Sequence, residues 1–175
     1  MKKSFFIKSV IVTVFQFYVF NLNAQLTIAQ LFENTYQLYE AQRYTNGVYR
    51  DAKIISGNDY HPCSVANVGT GLVSLCIADR AGFITDAEAK VVQTLETILG
   101  NTSGFNPDRN AKGFYRHWID LNTGARAWNS EYSTIDTALL AVGAFFAKKY
   151  FNSNLEIAGY ADELFLSVDW VTAIK

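Results

Sequence analysis

From Thr27 onward the apolar positions Ile28, Leu31, Phe32, Tyr36 and Leu38 or Tyr39 return every three or four residues, which predicts a helix over 27–43. The period then breaks. Residues 45–62 read TNGVYRDAKIISGNDYHP, where Gly47, Gly57, Pro62 and mixed polarity predict a long irregular loop, a kind of segment that tends to carry function. A second helix is predicted over 63–81, with Gly69 and Gly71 in its interior, where glycine weakens a helix unless a neighbouring backbone approaches closely. Thr85-Asp86-Ala87-Glu88 reads as a capping box that opens a third helix, AEAKVVQTLETIL, ending at Gly100. Between 101 and 128 the helical period disappears, and GFYRHWIDLNTGARAW reads as two short extended pieces around the turn signal Asn122-Thr123-Gly124. It returns in a fourth helix over about 133–151, with Ile135, Leu139, Val142 and Phe146 on one face, and in a fifth that Asn154 caps and that ends near Trp170.

No Pro/Gly/Ser linker or charge block divides residues 25–175, so they read as one all-α unit with a short β-hairpin insertion near 113–128. Helical hairpins with aromatic and carboxylate residues gathered in the loops at one end look like an α/α toroid. Five helices are fewer than a six-pair ring requires, so the expectation is a partial (α/α)6 toroid.

Composition narrows the function classes. The chain has 175 residues, 50 % of them hydrophobic and 18 % charged, which describes a globular domain with a sizeable core. A net charge of −1 without basic clusters gives no electrostatic footprint for nucleic acid. The 15 % of aromatic residues suits a ligand that stacks on flat faces. Residues 1–24 combine Lys2, Lys3 and Lys8 with an apolar run from Val10 to Phe20 and a small residue, Ala24, at the exit, the pattern of a secretory signal peptide. The run is too short to favour a membrane span. The mature chain is therefore expected to begin at Gln25, to work in a periplasm or outside the cell, and to be free of the membrane after cleavage. Cys63 and Cys76 are expected as two buried thiols, because a straight helix between them would hold them roughly 20 Å apart. His61 and His117 form no ligand-spaced metal cluster.

The stretch AWNSEYSTIDT, residues 127–137, places Glu131 and Asp136 where a loop turns into the fourth helix. On a structural reading, Ser133 caps that helix and Asp136 is its capping-box partner, favoured by the positive end of the helix dipole. On a functional reading, both carboxylates stand at the mouth of a cavity walled by Tyr115, Trp118 and Trp128. Glycoside hydrolysis requires such a pair, whose separation decides between inversion and retention.

The block GFYRHWIDLNTGARAWNSEYSTIDTALLAVGAFFAKKYF, residues 113–151, resembles the signature of the bacterial glucoamylase-like proteins, the group containing the endo-β-1,2-glucanases of glycoside hydrolase family 144. It is also similar to the transglycosylase module of cyclic β-1,2-glucan synthases. The pieces VYRD, CSVANVGTGLVSLCIADRAGFIT, AEAKVVQTLETI and ADELFLSVDW fall in the same order, so the resemblance covers roughly residues 26–171. It implies an (α/α)6 barrel acting on a β-linked glucan without metal or organic cofactor. By position it implies Glu131 and Asp136 as the catalytic carboxylates, with Glu131 the better base or nucleophile. Tyr115, His117, Trp118 and Asp120 match a substrate-lining segment, and Trp128, Asn129 and Ser130 match the pocket floor. Arg116 stands where the resemblance leads one to expect an aromatic residue. Family members continue past the position of Lys175 and supply a partner carboxylate there, so this chain alone is expected not to hydrolyse glucan. Two other readings remain open: a non-catalytic carbohydrate- or partner-binding helical protein, and an α-glucan-acting glucoamylase.

Overall fold

The structure, a computed structural model, describes residues 27–53 and 60–173. The expected signal peptide and Gly57 lie outside the described residues. No helix among the described residues is long and apolar enough to cross a membrane. The chain divides into two compact units, Met1–Thr35 and Tyr36–Lys175, and helix α1 (Ile28–Gln42) has residues in both. In the second unit, Tyr36 of α1 is buried and its hydroxyl donates to Glu40 Oε2 at 2.9 Å. Burial, then that hydrogen bond, pushes the Tyr36 phenol well above its usual range.

The second unit continues with β1 (Cys63–Ser64), α2 (Val65–Ala81), α3 (Ala87–Leu99), β2 (Trp118–Ile119), α4 (Thr134–Tyr150), α5 (Leu155–Leu166) and a 3-10 turn, Trp170–Ala173. Helix α2 packs on α3 and α4, and α5 packs on the same two, so four helices enclose one core. Leu72, Leu75, Leu95, Ile98, Leu140, Ile157 and Leu164 fill it. Cys63 and Cys76 are buried free thiols, as expected, and burial raises each to about 12.

The tightest contact is between α2 and α4. A Cβ on Gly69 would stand 2.7 Å from the Leu139 carbonyl carbon and 2.8 Å from Leu140 Cα, and one on Gly143 would stand 2.6 Å from Gly69 Cα. Only glycine permits that approach. Each costs about 1 kcal/mol of helix propensity relative to alanine, which the backbone-to-backbone packing offsets. Gly71 serves Tyr49 instead, since an added Cβ would meet the Tyr49 ring at 2.5 Å from Cζ. The expected close approach of a neighbouring backbone is therefore present at Gly69, whereas at Gly71 the neighbour is a side-chain ring.

This contact sets which face of α4 turns inward. Its buried face is Asp136, Thr137, Leu140, Ala141, Gly143, Ala144 and Ala147, whereas Ile135, Leu139, Val142 and Phe146 are exposed. Small residues win the interior because α2 lies too close for large ones. Helix ends follow the sequence more simply. Gly82 and Gly100 stop α2 and α3 with φ of 75° and 86°, each beyond a helix whose last carbonyls accept the cap N–H. Asn154 Oδ1 accepts from the Ile157 N–H at 2.9 Å, so α5 is capped as expected, but it ends at Leu166 and Trp170 belongs to the separate 3-10 turn.

Three other local expectations change. The box Thr85–Glu88 does not close: Asp86 occupies the N-cap without a side-chain capping bond, and Glu88 Oε1 accepts from Asn154 Nδ2 at 2.6 Å. Cys63 and Ser64 form a strand, not a first helical turn, because they pair antiparallel with Ile119 and Trp118. The insertion over 113–128 does turn back on itself at 120–124, with the Gly124 N–H donating to Asp120 O, but its return leg makes only an isolated bridge, Ile119 to Arg126. The regular pairing of Trp118 and Ile119 is with β1.

The loop after α1 is tied down by side chains. Thr94 and Thr97 of α3 donate to the carbonyls of Gly47 and Asn46 at 2.9 and 2.7 Å, and Asn46 Nδ2 donates onward to Leu121 O at 2.9 Å. Thr97 is fully buried. Replacing its hydroxyl by a methyl of similar shape leaves a carbonyl short of a donor, so Thr97→Val is expected to lower stability by about 1 to 3 kcal/mol in urea denaturation. A loss below a few tenths of that range would show that water substitutes freely.

Candidate functional site

Residues 115–119 form the spine of the candidate site, and they are held from both sides. The His117 N–H donates to Glu131 O and the Tyr115 carbonyl accepts from the Ser133 N–H, while the His117 carbonyl accepts from the Val65 N–H at the start of α2. The N-terminal ends of α2 and α4 therefore converge on His117. Ser133 caps α4, its Oγ accepting from the Asp136 N–H at 3.2 Å. Asp136 does not return the bond as a capping box would. Its carboxylate turns to His117, Oδ2 lying 2.5 Å from Nδ1, with Asp136 7 % exposed.

Beside this pair stand two indoles. The Trp118 ring meets His117 edge to face at 4.1 Å between centroids and Trp128 at 5.0 Å, and His61 reaches Trp128 from the loop before β1 at 6.2 Å. Trp128 is half exposed and has φ of 50°, the only positive φ at a non-glycine among the described residues. A bulky side chain in that region is strained by about 1 to 3 kcal/mol, the kind of cost that clusters at functional sites. Asn129 is exposed and its Oδ1 accepts from Arg126 Nη2 at 2.6 Å. Glu131 is exposed, and its carboxylate has no hydrogen bond or ion pair among the described residues.

Three of the expected ligand contacts sit elsewhere. Tyr115 is fully buried, its hydroxyl donating to Ile98 O at 3.0 Å, and burial raises it to about 12. It supports the site from beneath and offers no surface to a sugar. Ser130 is also fully buried, donating to Trp118 O at 2.9 Å, so it holds Trp118 without exposing a hydroxyl. Asp120 is committed to its own turn: Oδ1 accepts from the N–H groups of Asn122 and Thr123 and from the Thr123 hydroxyl, and Oδ2 from the Tyr60 hydroxyl at 2.9 Å.

Arg116 has a structural role. Its Nε donates to Asp108 Oδ2 at 3.1 Å, Nη1 donates to Ser130 O at 3.0 Å, and the guanidinium lies 3.6 Å over the Tyr132 ring, whose hydroxyl donates to Asp108 Oδ1. Asp108, Tyr132 and His61 are contributors that the sequence reading did not single out. No local signal marks Asp108 or Tyr132, because their partner is in another segment. A depression of about 660 Å³ lies apart from all of these, lined by residues of α3 and the start of α5 including Asp86, Glu88, Glu96 and Glu156. Among the described residues, no group of three or more His, Cys, Asp or Glu comes together as a metal site.

With this geometry in view, comparisons with known proteins address the fold. A crystal structure of a protein from Bacteroides uniformis, provisionally named a glucoamylase, superposes with a TM-score of 0.66 at 16 % identity over 83 % of this chain. A second, from Bacteroides fragilis and named in the same way, superposes with a TM-score of 0.62 at 20 % identity over 84 % of this chain. The fold is glucoamylase-like. It is mostly helical, of the (α/α)6 type, as the sequence led one to expect. The chain spans 37 % and 38 % of the lengths of these two neighbours. No protein-family model matches it, and no curated protein sequence does.

The Asp120 turn supplies a pH test. Burial opposes the charged form, but the hydrogen bonds from Asn122, Thr123 and Tyr60 outweigh it and hold the carboxyl below its ordinary value of 3.8. A folded value below the unfolded one means that the contribution is complete above the unfolded pKa and drains away as pH falls through the folded pKa. The stability difference between wild type and Asp120→Ala is therefore expected to be larger at about pH 6 than at about pH 2. Urea midpoints at both pH values measure it, and equal differences would contradict the assignment.

Proposed function

We propose that this chain carries part of the substrate surface of a glycoside hydrolase-like protein acting on a β-linked glucan, β-1,2-linked in the first instance, after export from the cytoplasm. The observation that carries the reading is Trp128, half exposed, strained, and buttressed edge to face by Trp118. An indole face is electron-rich and apolar, and the C–H groups of a pyranose present the complementary surface. Polar groups around such a platform orient the sugar through its hydroxyls. Asn129 and His117 are the candidates here.

Glu131 is the carboxylate assigned to chemistry, because it is exposed and is not engaged by another described side chain. Glycoside hydrolysis needs a second carboxyl across the glycosidic bond. Asp136 is not placed to supply it, since its carboxylate is taken up by His117. The neighbours' names favour a second reading equally, in which the sugar is an α-glucan. A helical carbohydrate-binding surface without turnover is the third.

Calorimetric titration with a β-1,2-linked gluco-oligosaccharide and, separately, a malto-oligosaccharide distinguishes these. The expected result is saturable binding of the β-1,2 series, weakened about tenfold, or roughly 1.4 kcal/mol, by Trp128→Ala. Preference for the malto series would select the α-glucan reading. Absence of binding to either would overturn the carbohydrate assignment.

A further inference from the structure

Asp136 is nearly buried, at the first turn of α4, and its carboxylate oxygen lies on His117 Nδ1. An ionised carboxylate only accepts hydrogen bonds, so the proton of a neutral imidazole is drawn to Nδ1 and the lone pair is left on Nε2. The ring is otherwise fixed by packing against Trp118 and by backbone bonds on both of its peptide groups. The His117 side chain nevertheless keeps 27 % of its surface exposed. Nε2 has no hydrogen-bond partner among the described residues. An imidazole oriented in this way by a carboxylate is an aimed hydrogen-bond acceptor.

We propose that His117 receives a hydrogen bond at Nε2 from a hydroxyl of a sugar lying against Trp118 and Trp128, and that Asp136 is its positioning residue and not a catalytic carboxylate. This rests on the carbohydrate reading above. The surroundings support it from each side. On its own segment, Arg116 turns its guanidinium away to Asp108 and Tyr132. Glu131 meets the His117 backbone through its peptide carbonyl. At the start of α2 the neighbour is Val65, whose N–H meets the His117 carbonyl, and on α4 the facing charge is Asp136. No cation described near the ring competes for Nε2.

Long-range proton–nitrogen NMR of the imidazole reads the arrangement without any ligand, and titration with a β-1,2-linked glucotriose reads the contact. Wild type is expected to show the neutral ring protonated at Nδ1, and the sugar to shift the Nε2 resonance together with the Trp118 and Trp128 indole signals. Asp136→Asn is expected to release the tautomer toward Nε2–H and to weaken glucotriose binding about fivefold or more, with Trp128 still reporting the sugar. If that variant fails to fold, the wild-type tautomer and the Nε2 shift decide the matter. A wild-type ring protonated at Nε2 overturns the proposal. So does an Nε2 signal that stays still while the indoles move, which would leave the carbohydrate reading standing. If neither the indoles nor the imidazole respond to this sugar or to maltotriose, the carbohydrate reading falls and the contact falls with it.

Discussion

The contact on which the rest depends is the meeting of two glycines. Gly69 of α2 and Gly143 of α4 bring two helix backbones together at a distance that no side chain tolerates. Interiors are close-packed, so a constraint of this kind propagates to whatever the helices carry. It determines which face of α4 turns inward, leaving the residues of the larger apolar stripe exposed. It also determines where the first turns of both helices arrive.

Those first turns meet the segment 115–119. Val65 at the start of α2 donates to the His117 carbonyl, and Asp136 at the start of α4 holds the His117 ring. Tyr115 and Ser130, buried beneath, fill the space that would otherwise let the segment move. Trp118 and Trp128 then stand on a support set by two rigid elements, which is how a site attains sub-ångström definition even though Trp128 itself is in a loop. The strain at Trp128 is sustained by these neighbours.

Much of the helical framework was legible in the sequence because its determinants are local. Glycine at a helix end, asparagine and serine at a helix start, and the 3.6-residue period all act within a few positions, and Gly82, Gly100, Asn154 and Ser133 behave accordingly. The glycines inside the second helix announced a close neighbour, though not its identity. What was not legible depends on contacts distant in sequence. Cys63 and Ser64 form a strand only because Trp118 and Ile119 lie beside them, and α4 turns its small residues inward, leaving the larger apolar ones exposed, because α2 lies so close. At the site, the sequence placed Glu131 and Asp136 together as a carboxylate pair. Burial and a histidine nineteen residues away give them different surroundings. Tyr115 looked like a surface residue of the site and proves to be buried.

The central claim is that the α2–α4 crossing positions the site, and amide hydrogen exchange on Gly143→Ala tests it most directly. An added methyl at Gly143 must push the Gly69 backbone away. The account predicts that protection falls in α2 and α4 and, to the same degree, at the His117 and Ser133 amides, although none of the latter touches residue 143. Loss of protection confined to the helices around the substitution, with the His117 and Ser133 amides as protected as in the wild type, would contradict it.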